Sequence, residues 1–343
     1  MVWDMFLKDE PRPLAKVLKG QTRPVCNGDL DDVCKCRQAL SPFYTHMVQY
    51  GDIFGSCVGI NMHTGADKLY HEIVDFSPYV FEGDYKTFDY GIVFDVAHAA
   101  SSVVCLTLGN MGYNKETLRQ VVGLLSDTLF PQLIINRDVI IVPGIQPSGR
   151  YATAEDNCLR NPIMVMYCWY TLPATRDYNF FDYVRIWTYG DDILVAVKEA
   201  FKHLFNGVIY AKFCLEHFNM EFTTPQKGSD MTEFVDPSKM SFLKRNFVYK
   251  PRWDRYVAPL ELESILRSLT LYIPSKNIPE DKQMIDTFSS ALRELFFHLD
   301  EEEYSEMYSA LGAILQETYG LDNLEVTINL PTFTHLEKDL GFV

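Results

Sequence analysis

Tyr189-Gly190-Asp191-Asp192 lies between two apolar runs, Tyr183 to Thr188 and Ile193 to Val197. Both runs are rich in β-branched and aromatic residues, as strands are, and Gly-Asp between them predicts a tight hairpin turn. Such a turn sets two carboxylates side by side at an exposed tip. Like charges so close repel unless a cation lies between them. Gly and Asp are also common turn residues, so the turn alone decides nothing. Its meaning depends on what the rest of the chain can bring to it.

The chain has 343 residues, 47% hydrophobic and 14% aromatic, enough to bury a large core. No apolar run reaches the roughly 18 residues of a membrane span. No basic-then-apolar leader opens the sequence, so neither a span nor secretion is expected. Eight scattered cysteines suit reduced thiols. Cys26, Cys34 and Cys36 lack a second Cys/His pair at finger spacing, so no structural zinc is expected there.

The formal net charge of −15 argues against a nucleic-acid partner at first sight. Its distribution answers the objection. From Glu280 onward there are fourteen acidic and three basic residues, with Asp300-Glu301-Glu302-Glu303 at the centre, so only −4 remains for everything before. That acidic stretch reads as a solvated face. Lys8, Arg12, Lys16, Lys19 and Arg23 form a basic segment. Lys244, Arg245, Lys250, Arg252 and Arg255 form another, interleaved with Phe247, Tyr249, Trp253 and Tyr256. Cations that track phosphates and rings that stack on bases suit a nucleic-acid groove; snorkelling side chains over a core would look the same.

Helices are expected over residues 64–76, 90–108, 115–130, from about Tyr151, near 198–206 or slightly beyond, and over most of 260–343 with breaks at Pro274, Pro279 and Pro331. Strands are expected at 79–84, in a hairpin at 134–142, and on either side of Gly190-Asp191. The first forty residues show little periodicity. Strands and helices mix without regular βαβ alternation, which predicts an α+β fold.

Asp84 ends one of these strands and Asp89 stands near a helix start, where it could serve only as an N-cap. If that strand neighbours the 189–192 hairpin, Asp84 and Asp191 can share two hard cations, the arrangement that stabilises in-line phosphoryl displacement. Ser148 and Gly149 lead into a helix on which Thr153 and Asn157 share one face. Hydroxyls and an amide converging there could read a ribose 2′-OH; capping and internal packing would use the same residues.

Four ordered signals resemble the RNA-dependent RNA polymerases of picornavirus-like (Picornavirales) positive-strand RNA viruses. They are D-x4-D at Asp84 and Asp89, S-G-x3-T-x3-N from Ser148 to Asn157, Y-G-D-D at Tyr189 to Asp192, and F-L-K-R at Phe242, Leu243, Lys244 and Arg245. Lys8-Asp9-Glu10-Pro11-Arg12 through Thr22-Arg23 is similar to the family's basic finger motif. The resemblance implies a right-hand fold: partial fingers at 1–40, palm at 41–125 and 148–249 with a fingers insertion at 126–147, and a helical thumb at 250–343. It implies two Mg²⁺ ions, with Mn²⁺ as substitute, held by Asp84, Asp191, Asp192 and the Tyr85 carbonyl. Asp89, Ser148, Gly149, Thr153 and Asn157 would select the ribose. Lys8 and Arg23 would contact nucleotide phosphates, Lys227 would protonate pyrophosphate, and Phe242 to Arg245 would hold the primer. Gly144 to Gly149 resembles the family's flexible translocation loop.

The implied partners are an RNA template and primer, ribonucleoside triphosphates, a protein primer and other viral replication proteins, at replication complexes in host cytoplasm. The pattern also departs from the family. Lys8 stands almost at the start, so a long N-terminal fingers segment is expected to be missing. Gln21 replaces a commonly basic residue, Lys227 is one position off a common spacing, and Pro162 predicts a kink or early helix end near Asn161. Two alternatives stand beside a polymerase: a non-catalytic RNA-binding fragment or endogenised relic, and a reverse transcriptase.

Overall fold

The computed structural model describes residues 1–225 and 230–342. The chain divides into two compact units, Met1–Ile60 with Ile73–Pro237, and Asn61–Glu72 with Ser238–Val343.

Two four-stranded sheets organise the first unit. Their strands, in chain order, are β1 (Val2–Leu7), β2 (Pro24–Gly28), β3 (Val80–Tyr85), β4 (Gln132–Ile135), β5 (Asp138–Ile141), β6 (Val184–Tyr189), β7 (Asp192–Val197) and β8 (Phe222–Thr223). One sheet runs β6-β7-β3-β8 and is antiparallel throughout. Ile193, Leu194, Val195, Ala196 and Val197 of β7 are all buried, so this strand is covered on both faces rather than alternating. The other sheet runs β2-β1-β4-β5, with β1 and β4 parallel. The β4–β5 hairpin turns at Asn136 and Arg137, both at positive φ (51° and 79°), as a type I′ turn requires.

The helix Thr153–Thr171 packs on β6 and on the helix Phe94–Asn110. Its inner face supplies Met164, Val165, Cys168 and Trp169 to a core completed by Phe81, Phe180, Val195 and Phe205. The Trp169 indole N–H donates to the Tyr178 carbonyl at 2.9 Å, so the largest core ring leaves no buried donor unpaired.

Several expectations need correction. The helix does not end near Asn161; it continues through Pro162 to Thr171. An interior proline costs roughly 3 kcal/mol, but Asn161, Met164, Val165, Cys168 and Trp169 are almost completely buried around it, and that packing outweighs the lost hydrogen bond. Near 198–206 there is only a 3₁₀ turn, Glu199–Phe201. Phe201 and Phe205 are drawn into the core. Asn206 then caps a new helix, Gly207–Phe213, by accepting from the Ile209 N–H at 3.0 Å. The aperiodic opening segment contains β1, β2 and the start of the helix Leu30–Gln49, whose buried stripe is Cys36, Leu40, Phe43, Tyr44 and Met47. Interspersed cysteines, lysine and Pro42 hide that stripe from a periodicity reading.

In the second unit two short hairpins, β9–β10 (Ser241–Phe242, Arg245–Asn246) and β11–β12 (Val248–Lys250, Arg255–Val257), precede five helices among the described residues: Leu262–Thr270, Glu280–Leu295, Glu301–Tyr319, Asn323–Asn329 and Phe333–Asp339. Phe288, Leu292, Phe296, Leu315 and Phe333 form their core. The acidic run has a structural task. Asp300 caps the Glu301–Tyr319 helix and Glu303 reaches back to the Asp300 N–H, a complete capping box, while Glu301 and Glu302 face the positive end of the helix dipole. Asp322 and Glu325 repeat the box one helix later.

Candidate active site

Tyr189 pairs with Asp192, so Gly190 and Asp191 are the two central residues of the β6–β7 turn. Gly190 has φ +65°, and Asp191 does not share the left-handed conformation. This is the sign pattern of a type II′ turn, which places glycine first. Two buried residues of the Thr153–Thr171 helix hold the turn. The Cys158 thiol accepts from the Gly190 N–H at 3.0 Å. The Asn161 amide donates towards the Gly190 and Asp191 carbonyls, each at 3.4 Å.

Gly83 of β3 pairs with Ile193 of β7. One step further along this antiparallel register, Asp84 stands across from Asp192, next to the turn. Asp84 and Asp191 are exposed, while the Tyr85 ring is buried in the core. The Tyr85 hydroxyl donates to Asn161 Oδ1 at 2.8 Å and meets the Tyr210 hydroxyl at 2.6 Å. Asn161 thus ties the Asp84-bearing strand to the Asp191-bearing turn. With its ring inside, Tyr85 could offer a cation only its carbonyl.

Behind this edge, Asn157 Nδ2 donates to Asp89 Oδ1 at 2.9 Å. Asp89 lies inside the one-turn helix Phe88–Gly91 and does not cap it. Burial raises its carboxyl above the usual range, and the Asp191 charge raises it further, against the Asn157 hydrogen bond and the positive charges of Arg160 and Arg23. Asn157 Oδ1 is buried with no hydrogen-bond partner. A buried acceptor without a donor is costly and uncommon; here it marks a place where a ligand hydroxyl could donate.

Ser148 and Thr153 are engaged differently. Ser148 Oγ accepts from the Cys26 N–H of β2 at 3.2 Å, and Thr153 Oγ1 donates to the Arg150 carbonyl at 2.8 Å. Both hydroxyls shape the loop, while Asp89 and Asn157 meet directly. Gly149 has a steric reason: a Cβ there would lie 2.1 Å from the Cys26 carbonyl oxygen. Gly149→Ala is therefore expected to push the loop off β2, lowering stability by about 1–3 kcal/mol together with activity. Thermal unfolding of the variant checks this, and an unchanged midpoint would contradict the close approach.

In the basic segment, Lys8 Nζ is 3.0 Å and Arg12 Nε 3.5 Å from the Glu10 carboxylate, and the Lys8 N–H donates to the Arg23 carbonyl at 2.8 Å. Burial would raise the Glu10 carboxyl, but Lys8, Arg23 and Arg12 together hold it below its ordinary value. Glu10 therefore stands among the cations expected to meet phosphate. Lys227 lies outside the described residues.

The segment expected to hold the primer, Phe242 to Arg245, belongs to the second unit. Phe242 is buried, and Leu243 and Lys244 turn the β9–β10 hairpin with φ of 57° and 58°. Arg245 faces inward: its guanidinium binds Glu294 at 2.6 and 2.8 Å and the Ala258 carbonyl at 2.9 Å. His63 Nε2 lies 2.9 Å from the same carboxylate. Burial opposes the Glu294 charge, yet His63 and Arg245 together bring its pKa down to about 2. Arg245 is a brace within the unit, and Lys244 is the exposed cation of the quartet.

Among the described residues no three His, Cys, Asp or Glu side chains converge as a ready-made ion cluster. The carboxylates of Asp84, Asp191 and Asp192 nevertheless fit Mg²⁺. They are hard oxygen donors at the same end of the neighbouring strands β3 and β7. Mg²⁺ is commonly held by one or two carboxylates, with waters and substrate phosphates completing its shell. The contacts that make Glu10 a counter-ion, Cys158 and Asn161 anchors of the turn, and Asp156 the centre of a buried charge cluster were not apparent from the sequence. Only the helical spacing of 157 and 161, four residues apart on the face that carries Asn157, could have suggested Asn161.

A profile of the family described as viral RNA-dependent RNA polymerase matches residues 1–314. The replicase polyprotein of Drosophila C virus (strain EB) is 27% identical over 321 residues, covering 90% of this chain and 18% of that polyprotein. The genome polyprotein of Human klassevirus 1 is 25% identical over 320 residues, covering 92% and 12%. The chain thus spans less than a fifth of these curated relatives. The Sicinivirus 3Dpol RNA-dependent RNA polymerase superposes with a TM-score of 0.80 at 20% identity, covering 99% of this chain and 67% of that one. The fold is therefore the α+β right-hand polymerase fold. With the profile running through most of its length, and the Asp84 strand, the Asn157 helix and the Asp191 turn all inside the matched region, this chain belongs to the viral RNA-dependent RNA polymerase family.

Proposed function

We propose that this chain performs template-directed RNA synthesis in viral genome replication. A ribonucleoside triphosphate would be joined to an RNA primer on an RNA template, in the host cytoplasm, with a protein primer and other viral replication proteins as partners. Among the described residues no helix is long and apolar enough to cross a membrane. The observation that carries the reading is the shared strand end at which Asp84 of β3 and the Asp191 turn of β7 are neighbours, with Asn157 Oδ1 unpaired beside Asp89. We assign the first unit to fingers and palm, and Ser238 onward to primer grip and thumb.

In the reaction the primer 3′-oxygen forms a bond to the α-phosphorus. The bond from that phosphorus to the bridging oxygen of pyrophosphate breaks, and the 3′-hydroxyl proton passes to solvent water. Two Mg²⁺ ions at Asp84, Asp191, Asp192 and the Tyr85 carbonyl, replaceable by Mn²⁺, would supply charge stabilisation for the phosphoryl oxygens and acidify the 3′-hydroxyl. The chain's own task is positioning and electrostatics. Lys8 and Arg23 receive the triphosphate, Glu10 yielding its place to it. Lys227 is the proposed proton donor to pyrophosphate, and Lys244 meets the primer backbone. Asn157 Oδ1 accepts from the ribose 2′-OH, which a deoxyribonucleotide lacks.

Incorporation of labelled nucleotide on a primed RNA template, with Mg²⁺, tests the proposal. Templated incorporation of ribonucleotides is expected; equal use of deoxyribonucleotides would point to a reverse transcriptase, and RNA binding without incorporation to a non-catalytic fragment. Asn157→Ala is expected to lower the ribo- over deoxyribonucleotide preference by about ten- to a hundredfold, the worth of one or two hydrogen bonds to a polar site.

A further inference from the structure

Directly behind the ribose-reading pair lies a fully buried cluster of charge. Asp156 Oδ2 accepts from Arg160 Nε at 2.7 Å, Arg150 Nη1 at 2.9 Å and Gln146 Nε2 at 3.1 Å, and Oδ1 accepts from the Tyr44 hydroxyl at 3.1 Å. The side chains of Arg150, Asp156 and Arg160 are each 1% exposed. Two guanidiniums face one carboxylate, so a surplus positive charge is enclosed. Arg150 Nε and Nη2 are buried without hydrogen-bond partners. As scaffolding this is expensive, since apolar residues of similar volume usually hold a core at least as well as a buried ion triad.

The cluster also closes a ring. The Gln146 N–H donates to the Asp89 carbonyl at 2.8 Å, and the Gln146 side chain donates to Asp156. Asp156 is bonded in sequence to Asn157, whose amide donates back to the Asp89 carboxylate. Arg160 Nη1 adds a bond to the Gly144 carbonyl at 3.2 Å, so both the start of the 144–149 loop and its Gln146 are fastened to the helix. Any rotation of that helix, or displacement of the loop, must break a bond in this ring before Asn157 can move relative to Asp89.

We propose that Asp156, with Arg150, Arg160 and Gln146, is a positioning cluster that sets ribonucleotide preference by fixing where Asn157 Oδ1 stands beside Asp89. Burial raises the Asp89 carboxyl, and the Asn157 hydrogen bond and, more weakly, the Arg160 charge oppose that rise. The Asp156 carboxyl, which burial alone would raise, is held below its ordinary range by Arg150 and Arg160, so the cluster stays charged. The proposal rests on the reading of Asp89 and Asn157 as ribose contacts.

Two variants test it. Gln146→Leu cuts the ring at one residue with a side chain of similar size; it also removes the Arg150 Nη1 bond to Gln146 Oε1 at 3.2 Å but leaves both arginine–Asp156 contacts in place, whereas Asp156→Asn weakens those contacts themselves. Steady-state kcat/KM is measured for a ribonucleotide and its deoxyribonucleotide on the same primed template, beside thermal unfolding. For Gln146→Leu the ribonucleotide value should fall about tenfold while the deoxyribonucleotide value holds, with the unfolding midpoint near that of the parent; Asp156→Asn should lose more preference. If Gln146→Leu keeps the parent ratio, or lowers both nucleotides equally, the proposal is overturned, whatever becomes of the fold of Asp156→Asn. Asn157→Ala serves as reference: if it also keeps the parent ratio, the ribose reading itself has failed, and if only it changes the ratio, the ring alone has failed.

Discussion

Asp191→Ala is expected to slow templated nucleotide incorporation by at least about a thousandfold, the loss of roughly 4 kcal/mol of transition-state stabilisation. The loss should be clean, because the fold does not use this side chain. The turn depends on Gly190, the residue with positive φ. Asn161 and Cys158 hold backbone groups of the turn, not its carboxylates. Asp191 is exposed, so its truncation should change stability by no more than about 0.5 kcal/mol. Asp84→Ala should match it in rate, and Asp192→Ala should lose less. Primer extension beside thermal unfolding separates the two effects. An Asp191→Ala protein that extends primers at the parent rate would remove the catalytic reading of the turn.

The second large effect concerns stability in the other unit. Arg245→Ala should destabilise it by about 3 kcal/mol, because removing one partner strands a largely buried carboxylate. Glu294 would keep only His63. Acid should act in the same direction. The folded Glu294 carboxyl, at about 2, lies below its ordinary value of 4.5. A depressed carboxyl contributes stability that is present above the unfolded value and disappears as pH falls through the folded one. The unit's unfolding midpoint should therefore be insensitive to this group above about pH 5 and decline between 4.5 and 2. Glu294→Gln should flatten that decline. Trp253, stacked on Phe296 with ring centroids 5.0 Å apart, reports on this core by fluorescence. An unchanged acid profile in Glu294→Gln would show that the ion pair does not brace the unit.

Much of the site was legible in the sequence because its chemistry sits in local patterns. A glycine before an aspartate between two apolar runs announced the hairpin, and the apolar strand ending at Asp84 announced its neighbour. What stayed hidden depends on distant contacts. Asn161 and Cys158 gain their meaning only when the helix lies against the turn. Arg245 reads as a nucleic-acid cation until Glu294, forty-nine residues away, is folded onto it. Pro162 looked like a stop because sequence shows its local cost and not the packing that offsets it. The acidic run at Asp300 read as a solvated surface because capping boxes and charged faces have the same composition. Glu10 was visible all along within the basic segment, but only the distances to Lys8 and Arg12 show it as their counter-ion.

The sheet that carries the basic segment has a consequence for how the molecule assembles. β1 pairs on one side with β2, close in sequence, and on the other with β4, where Val2 meets Gln132 in parallel. Pairings over such separations carry a heavy loop-closure entropy and slow the search for the native topology. At about 5–20 residues per second on the ribosome, roughly 7–25 seconds of synthesis separate the two strands. Throughout that interval the parallel edge of β1 is an open template, able to recruit any extended segment that reaches it first. β1 is thus completed only after β4 has been made, and the basic segment between β1 and β2 sits in a sheet that closes late.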